Sequence, residues 1–497
     1  MKSIQELEQA LARRGLLAAS AGANVSITGV SNDSRKVKPG DLFICKGFGF
    51  KPEYLLSARE KGAVCYLAQE PVEGVALPGI IATDVRRAQG LTARWYYDAP
   101  SESFELIGVT GTKGKTTTCF MMQAVTSAIA GDTMGLCCGH AHYCGGGDID
   151  SHLTTPEPLD LQWLFAQARE HRLPYMTAEV SSQAYQMGRL EGEHFNFGVF
   201  LNFGEDHVSP LEHPSMEEYL HCKLQLLRNS DVAVICRDTD QFDKVYAAAR
   251  ESCRKTILVG VDCEGCDFTA YDVTKEANGF SFRVQEKGDP TLYPYRLRMA
   301  GAFNVKNALT AIAVGRELGG SHEVLAQSLQ DLVVPGRMNY FEGAGIHVLV
   351  DYMHNRISAQ AVMDSVKQEY PDAHITVVIG VAGERSERRI QGLGEVCGDN
   401  ADRIIFSTND PSWEDPYDIA LRLAAVAQGR KATYTIDVDR TRAVETAILE
   451  APDGAVVVLA GKGDDDFQRI KGVNVHYDSD PVVAQRALAM RAELQKK

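Results

Sequence analysis

Short apolar runs recur along this chain, each bounded by turn residues and separated from the next by a stretch of helical spacing. In the middle of the sequence they are Phe104 to Val109, Tyr175 to Val180, Phe197 to Asn202, Val232 to Cys236 and Ile257 to Gly260. Strands that alternate with helices predict a parallel sheet with crossover connections. From Asp267 to Met299 the period changes to two and Asn278-Gly279 offers a tight turn, so an antiparallel insertion is expected there. After the turn signal Pro335-Gly336 the alternation resumes with His347 to Val350, Ile375 to Ile379, Ile404 to Phe406 and Ala455 to Leu459. That is a second α/β unit of Rossmann-like type. The first hundred residues open with an amphipathic helix, Ile4 to Leu17, and continue as short strands and turns. The expected domains are 1–103, 104–334 and 335–497, with no internal repeat and no low-complexity tail.

Length agrees, because 497 residues are too many for one core and suit about three domains of ~150 residues. Hydrophobic content of 44% and charged content of 24% are ordinary for a globular protein, so only the charge adds information. A formal net charge of -15 argues against a nucleic-acid partner, which basic surfaces hold. Small anionic substrates stay open, since they need only a local cluster of Lys, Arg and amide groups. No apolar run nears the ~20 residues of a membrane span, and Met1-Lys-Ser-Ile-Gln-Glu lacks a signal core. A cytoplasmic location without membrane insertion is therefore expected. Twelve cysteines, scattered and mostly inside apolar runs, read as reduced core thiols. Cys137-Cys-Gly-His-Ala-His-Tyr-Cys144 and Cys263-Glu-Gly-Cys266 crowd ligand-type residues, yet neither has a second paired module at zinc spacing, and both read as incidental.

The candidate chemistry starts at Gly108-Val-Thr-Gly-Thr-Lys-Gly-Lys-Thr-Thr-Thr118, between a predicted strand and a predicted helix. A glycine-rich turn there brings backbone N–H groups and a positive helix end onto phosphate, with Lys115 reaching the outer phosphates and Thr116 offering an oxygen to Mg²⁺. A strict P-loop needs glycine where Val109 stands, so this is a variant. Open α/β sheets bind ligands at the carboxyl ends of their strands, where Glu179-Val-Ser-Ser182 and Asn202-Phe-Gly-Glu-Asp-His207 are expected. A carboxylate and an imidazole converging beside the loop suit a hard cation. Taken singly, each reads as a capping Glu and a surface His.

Gly111-Thr-Lys-Gly-Lys-Thr116 resembles the G-T-x-G-K-T signature of the Mur ligase family, and other segments resemble the family in the same order. The resemblance implies ATP held by Gly111, Thr112, Lys113, Gly114, Lys115, Thr116 and Thr117. Glu179-Val-Ser-Ser-Gln-Ala-Tyr185 resembles E-V-S-S-H-A-L. The implied metal set is Thr116, Glu179, His207 and Lys223, where Lys223 stands at the lysine that the family carbamylates with CO₂. Gly301-Ala-Phe-Asn-Val-Lys-Asn-Ala308 implies Asn304 and Asn307 beside the adenine, Pro335-Gly-Arg-Met338 implies Arg337 as a hinge arginine approaching ATP, and Asp351-Tyr-Met-His354 points Asp351 at the nucleotide. The implied catalytic group is Lys115, Glu179, His207, Lys223 and Arg337.

The N-terminal stretch resembles the family's uridine-nucleotide domain through Asp33-Ser-Arg35 and Pro39-Gly-Asp-Leu-Phe43. Ser31, Ser34, Arg35, Thr154, Thr155, Ser181 and Arg189 would hold a UDP-N-acetylmuramoyl dipeptide. Gln183, Met187 and Met353 depart from the family pattern, as does the run Gly47 to Tyr54. In the third domain Gly383-Glu-Arg-Ser386 implies Arg385 for the α-carboxylate of an incoming amino acid, which a guanidinium grips bidentately. The resemblance adds Asn409 and Gly461, with Asp410 to pair the side-chain ammonium of that amino acid and Asp465, in Gly461-Lys-Gly-Asp-Asp-Asp-Phe-Gln468, as another acidic candidate. Ser412 stands where ligases adding meso-diaminopimelate carry arginine, which favours lysine or ornithine.

Among family members the likeness is greatest to the ligase that adds the third residue of the peptidoglycan stem peptide. The implied reaction is ADP-forming amide synthesis through an acyl phosphate, by a monomer using ATP and Mg²⁺. Two alternatives are a ligase elongating folate or a polyamino acid, and a silent relative that kept the fold.

Overall fold

The structure is a computed structural model, and it describes every residue except Phe48, His152, His207, Ser209, Pro210, Leu211, Ala277, Asn278, Arg385, Ser386 and Lys497. The strand Glu105–Thr110 is apolar from Leu106 to Val109 because both faces are covered. Ile107 and Val109 pack with Cys119, Met122 and Val125 of the helix Lys115–Ala130, while Leu106 packs with Leu164 and Phe165 of the helix Pro158–Glu170. Tyr175–Glu179 pairs in parallel on one side of this strand and Phe195–Phe200 on the other. Their carboxyl ends therefore flank the phosphate loop.

The remaining sheet differs in two details from the alternation expected. Phe268–Glu276, Gly279–Glu286 and Tyr293–Leu297 are antiparallel to one another, but they extend the parallel sheet to eleven strands instead of forming a separate insertion. The junction is parallel pairing of Val259 to Val261 with Phe268 to Ala270, so Cys263 and Cys266 lie in a loop between parallel strands and not in a hairpin. Asp267 ties the end of that loop back to the preceding strand, its side chain accepting from Leu258 N at 2.8 Å and its N–H donating to Leu258 O at 2.7 Å.

Residues 17 to 82 hold a five-stranded sheet packed on Ile4, Leu7 and Leu11. The first helix stops at Arg13, short of Leu17, because Gly15 takes φ 67° and turns the chain into the strand Leu17–Ala19. A third, six-stranded sheet runs Asn339–Gly343, Ile346–Asp351, Val456–Ala460, Ile375–Ile379, Arg403–Phe406 and Thr433–Ile436 in spatial order. Its first strand is antiparallel and the others are parallel. The molecule is thus a three-domain α/β protein. Among the described residues, no helix is long and apolar enough to cross a membrane.

Candidate functional site

The phosphate loop is held from two sides. Asn202, just past the neighbouring strand, accepts from Lys113 N at 2.8 Å and donates to Lys113 O at 3.0 Å. Gly114 sits at φ 84° against the helix Phe303–Glu317, where an added Cβ would meet Asn307 Oδ1 at 2.7 Å. Asn307 donates to Asn304 Oδ1 at 2.9 Å, and Asn304 to Ala300 O at 2.8 Å. Both asparagines are buried, so they fix the shape of the loop. No side chain caps the helix Lys115–Ala130, which leaves its first N–H groups free for an anion.

Lys115 and Thr116 open that helix, and both meet Glu179. Thr116 Oγ1 donates to Glu179 Oε2 at 3.0 Å, and Lys115 Nζ lies 4.0 Å from Glu179 Oε1. Gly139 N donates to the same Oε2 at 3.0 Å. A hydroxyl and a carboxylate oxygen, both buried and adjacent, form the kind of hard donor set that Mg²⁺ takes. Thr117 is buried beside them.

Lys223, on the helix Met216–Arg228, is 2% exposed and donates to Gly111 O at 2.7 Å. Its Nζ lies 4.7 Å from the Tyr219 ring, and Tyr219 OH donates to Thr112 Oγ1 at 3.2 Å. Burial, with the Lys115 charge nearby, pushes the Lys223 ammonium well below its ordinary pKa. His207 lies outside the described residues. Beside the Tyr219 ring, His213 Nε2 faces Ser182 Oγ at 2.8 Å and its Nδ1 faces Glu218, which also accepts from the Cys222 thiol at 3.1 Å. His213, Glu218 and Cys222 are the only group of three or more His, Cys, Asp or Glu side chains gathered closely enough for one ion among the described residues, and each is already hydrogen-bonded. Cys137 and Cys138 point into different cores on opposite sides of the sheet, so the Cys137–Cys144 cluster is split by strand alternation.

The third domain closes over the loop. Arg337 Nη2 lies 3.5 Å from Thr116 Oγ1, its guanidinium 4.5 Å from the Tyr352 ring. Asp351 is buried and accepts from Met338 N at 2.9 Å, and burial raises its pKa. Lys113 Nζ approaches His354 Nε2 at 3.4 Å and Asp206 Oδ2 at 3.3 Å. Asp206 also accepts from Asn355 and faces Arg389 at 3.6 Å. A cavity of about 720 Å³ runs along the hinge, lined by Met299, Arg337, Met338, Tyr340, Tyr370 and Asp464. Its size is that of a small-molecule site.

The cleft toward the first domain is tied by charge. Glu157 forms an ion pair with Arg189, whose Nε lies 3.0 Å away, and accepts a hydrogen bond from Lys46 of the first domain. Arg189 also donates to Thr155 O at 2.9 Å. Thr155 Oγ1 donates to Glu179 O at 2.8 Å and lies 3.2 Å from Ser181 Oγ, so the two residues join this cleft to the cation donors. Thr154 adjoins them, its Cα 3.4 Å from where a Cβ on Gly139 would stand. Ser31 donates to Asp33 O within its own turn, Ser34 is half-buried, and the exposed Arg35 pairs with Asp33 at 2.9 Å. Those three are not gathered with Arg189 by any hydrogen bond.

Arg385 lies outside the described residues. Asp410 and Asp465 do converge, but on the chain's own Lys462, whose fully buried Nζ lies 2.9 and 3.3 Å from them. Asn409 donates to Gly461 O at 3.2 Å, joining the two loops. Ser412 takes φ 56° and donates to Glu384 Oε2 at 2.6 Å.

This arrangement agrees with what is found in other proteins. The sequence profile of the Mur ligase middle domain matches residues 109–315, and that of the Mur ligase glutamate ligase domain matches residues 336–463. The UDP-N-acetylmuramyl-tripeptide synthetase of Latilactobacillus sakei subsp. sakei (strain 23K) is 38% identical over 490 residues, 95% of each chain. The chain belongs to the Mur ligase family. A second relative of this Mur ligase is the UDP-N-acetylmuramoyl-L-alanyl-D-glutamate--L-lysine ligase of Enterococcus faecalis (strain ATCC 700802 / V583), 35% identical over 464 residues, 92% of this chain and 91% of that one. The solved structure of a UDP-N-acetylmuramoyl-L-alanyl-D-glutamate--2,6-diaminopimelate ligase superposes with a TM-score of 0.66 at 24% identity, over 95% of this chain and 96% of that one. That last likeness concerns the fold alone.

Several residues of this Mur ligase site escaped sequence reasoning. Lys462 lies inside the Gly461-Lys-Gly463 segment already singled out, and a lysine between two candidate carboxylates was the available signal. Lys46 lies in the run Gly47 to Tyr54's immediate approach, with no motif of its own. Asp206 was quoted only as the neighbour of His207, and Arg389 only follows Arg388 in a polar stretch, with no signal that the two meet.

Proposed function

We propose that this Mur ligase adds a diamino acid of the lysine type to UDP-N-acetylmuramoyl-L-alanyl-D-glutamate, at the expense of ATP, acting as a monomer in the cytoplasm. Like its family, it is an ATP-dependent, ADP-forming ligase of peptidoglycan precursor synthesis. The observation that carries the reading is Thr116 and Glu179 joined at 3.0 Å beside Lys115, beneath a domain whose candidate amine pocket is acidic.

The acceptor's terminal carboxylate attacks the γ-phosphorus of ATP, the bond to the ADP oxygen breaks, and an acyl phosphate results. The nitrogen of the incoming amine then attacks the acyl carbon and phosphate leaves, giving the amide. Lys115 and Arg337 offset the charge spread over the phosphoryl oxygens. Mg²⁺, held by Thr116, Glu179, His207 and a carbamylated Lys223, would supply further positive charge there. Carbamylation suits Lys223 because only a neutral amine attacks CO₂, and this buried amine is readily deprotonated. Asn304, Asn307 and Asp351 shape the nucleotide end. Thr155, Ser181 and Arg189 face the muramyl dipeptide.

For the incoming amine, two carboxylates against one buried ammonium leave one negative charge in the pocket of Asp410, Asp465 and Lys462. Asp465 has its pKa raised by burial, and a second cation there would favour its charged form. Serine at 412 offers no guanidinium for a second carboxylate. Relatives named as a tripeptide synthetase and a lysine ligase support this reading over a folate ligase or a silent binder.

The test is phosphate release with the UDP-muramyl dipeptide as acceptor and a panel of amino acids. Turnover is expected with L-lysine or L-ornithine. A higher kcat/KM with meso-diaminopimelate, or release only with a folate acceptor, overturns the proposal.

A further inference from the structure

We propose that Arg440 is a positioning residue for the incoming amino acid, setting the relative height of the two loops that form the amine pocket. The inference rests on the pocket assigned above to Asp410, Lys462 and Asp465.

Those loops follow two strands that do not touch. In the third sheet Ile375–Ile379 stands between Arg403–Phe406 and Val456–Ala460, so no ladder hydrogen bond links the outer two. Both pair with the strand between them, and each has its other neighbour on the far side, Thr433–Ile436 for Arg403–Phe406 and Ile346–Asp351 for Val456–Ala460. Arg440, the first residue of the helix Arg440–Leu449, spans the gap from below. Its Nη1 donates to Thr408 O at 3.2 Å and its Nη2 to Ala460 O at 2.9 Å. The next residues along the chain are Asn409-Asp410 and Gly461-Lys462.

The fork itself is held by a carboxylate. Arg440 Nε donates to Asp480 Oδ1 at 2.8 Å and Nη2 to Asp480 Oδ2 at 2.6 Å, and both side chains are fully buried. Tyr477 OH donates to Asp480 Oδ1 at 2.7 Å. With its charge met, the guanidinium has N–H groups left in two fixed directions, one for each carbonyl. A lysine has no planar fork and would not hold both carbonyls in this geometry. Above this level Asn409 reaches Gly461 O, so the loops are pinned at two heights. An ion pair kept for stability alone is often replaceable by apolar side chains at little cost. What distinguishes Arg440 is that its remaining hydrogen bonds end on the two pocket loops.

The test uses the full-length enzyme with two variants, Arg440→Lys and the double variant Arg440→Met with Asp480→Leu, which leaves no lone buried charge. Circular dichroism establishes that each folds, and the double variant is read if the single one does not fold. Two readouts separate positioning from general damage. Acyl phosphate formed without amine is trapped by hydroxylamine, and amide formation is titrated with L-lysine. Expected is a rise of about tenfold or more in the lysine KM, since small misplacements of reacting groups are costly, with trapped acyl phosphate and the ATP KM within about twofold of the parent. A lysine KM within about twofold of the parent in a folded variant overturns the inference, as does acyl phosphate falling in step with amide. Asp410→Asn serves as the control on the pocket. If it raises the lysine KM and the Arg440 variants do not, Arg440 alone loses its role; if neither does, the pocket assignment falls as well.

Discussion

Lys223 holds its amine beneath the phosphate loop at Gly111 O, within the field of Lys115 and out of water. Both effects disfavour the ammonium, so the neutral amine persists down to a lower pH than for an exposed lysine. The sign follows: carbamate is favoured above the depressed pKa and is lost on acidification through it. With ¹³C-bicarbonate, the enzyme should show a carbamate carbon resonance absent from Lys223→Arg, and activity should drop in CO₂-depleted buffer and return with bicarbonate. Lys115→Ala tests the other lysine. It should lower turnover by about 10²- to 10³-fold, the usual loss for a group stabilising transition-state charge, with an unchanged melting profile. Turnover near the parent level would remove Lys115 from the mechanism.

Among elements, the strand, glycine-rich loop and helix from Glu105 to Ala130 were legible because period, turn residues and helix spacing agree there. Glu179 was legible for the same reason, as the last residue of a recognisable strand. The antiparallel strands after Asp267 were legible in kind but not in place, since a period of two says nothing about which edge they join. Arg440 and Asp480 lie 40 residues apart and are brought to hydrogen-bond distance only by the tertiary fold, so they could not be paired from sequence. Asp410 and Asp465 were read as a docking place for a substrate ammonium, while the fold fills it in part with Lys462; the lysine is visible beside Gly461, but spacing alone does not tell a self-contact from a substrate site. The phosphate loop supplies a prediction of its own. Gly114→Ala forces a side chain into the left-handed region and against Asn307 Oδ1 at 2.7 Å. ATP affinity, read by calorimetry, should fall at least tenfold, equivalent to about 1.4 kcal/mol, while folding is retained.

Across the whole molecule, the third domain meets the middle one through ion pairs of two arginines and one imidazole–carboxylate contact. Arg388 pairs with Glu205 at 2.7 Å, Arg389 faces Asp206 and Glu212, and His140 faces Asp464 at 3.5 Å. Asp206 is shared by Lys113 of the phosphate loop and Asn355 of the third domain, so loop and closure have one carboxylate in common. Closing domains complete many ligase sites only when substrate is present. Arg389→Gln should therefore raise the KM for the amino acid several-fold, leave the binding of the UDP-muramyl dipeptide alone, and make small-angle scattering profiles with ATP more extended. An unchanged profile and KM would show that the contact is idle.

Ser412 has a further bearing on how selectivity in this enzyme can change. Its backbone stands at φ 56°, its hydroxyl is spoken for by Glu384, and its amide and carbonyl are engaged by Arg469 O and Lys471 N. Grafting arginine at this one position would put a long cation on a left-handed residue, with Glu384 as a ready counter-ion inside the same chain. Ser412→Arg should therefore weaken lysine use without conferring diaminopimelate use, as a comparison of kcat/KM for both amines would reveal. Exchanging one amine for the other thus requires rebuilding the surrounding loop together with the residue.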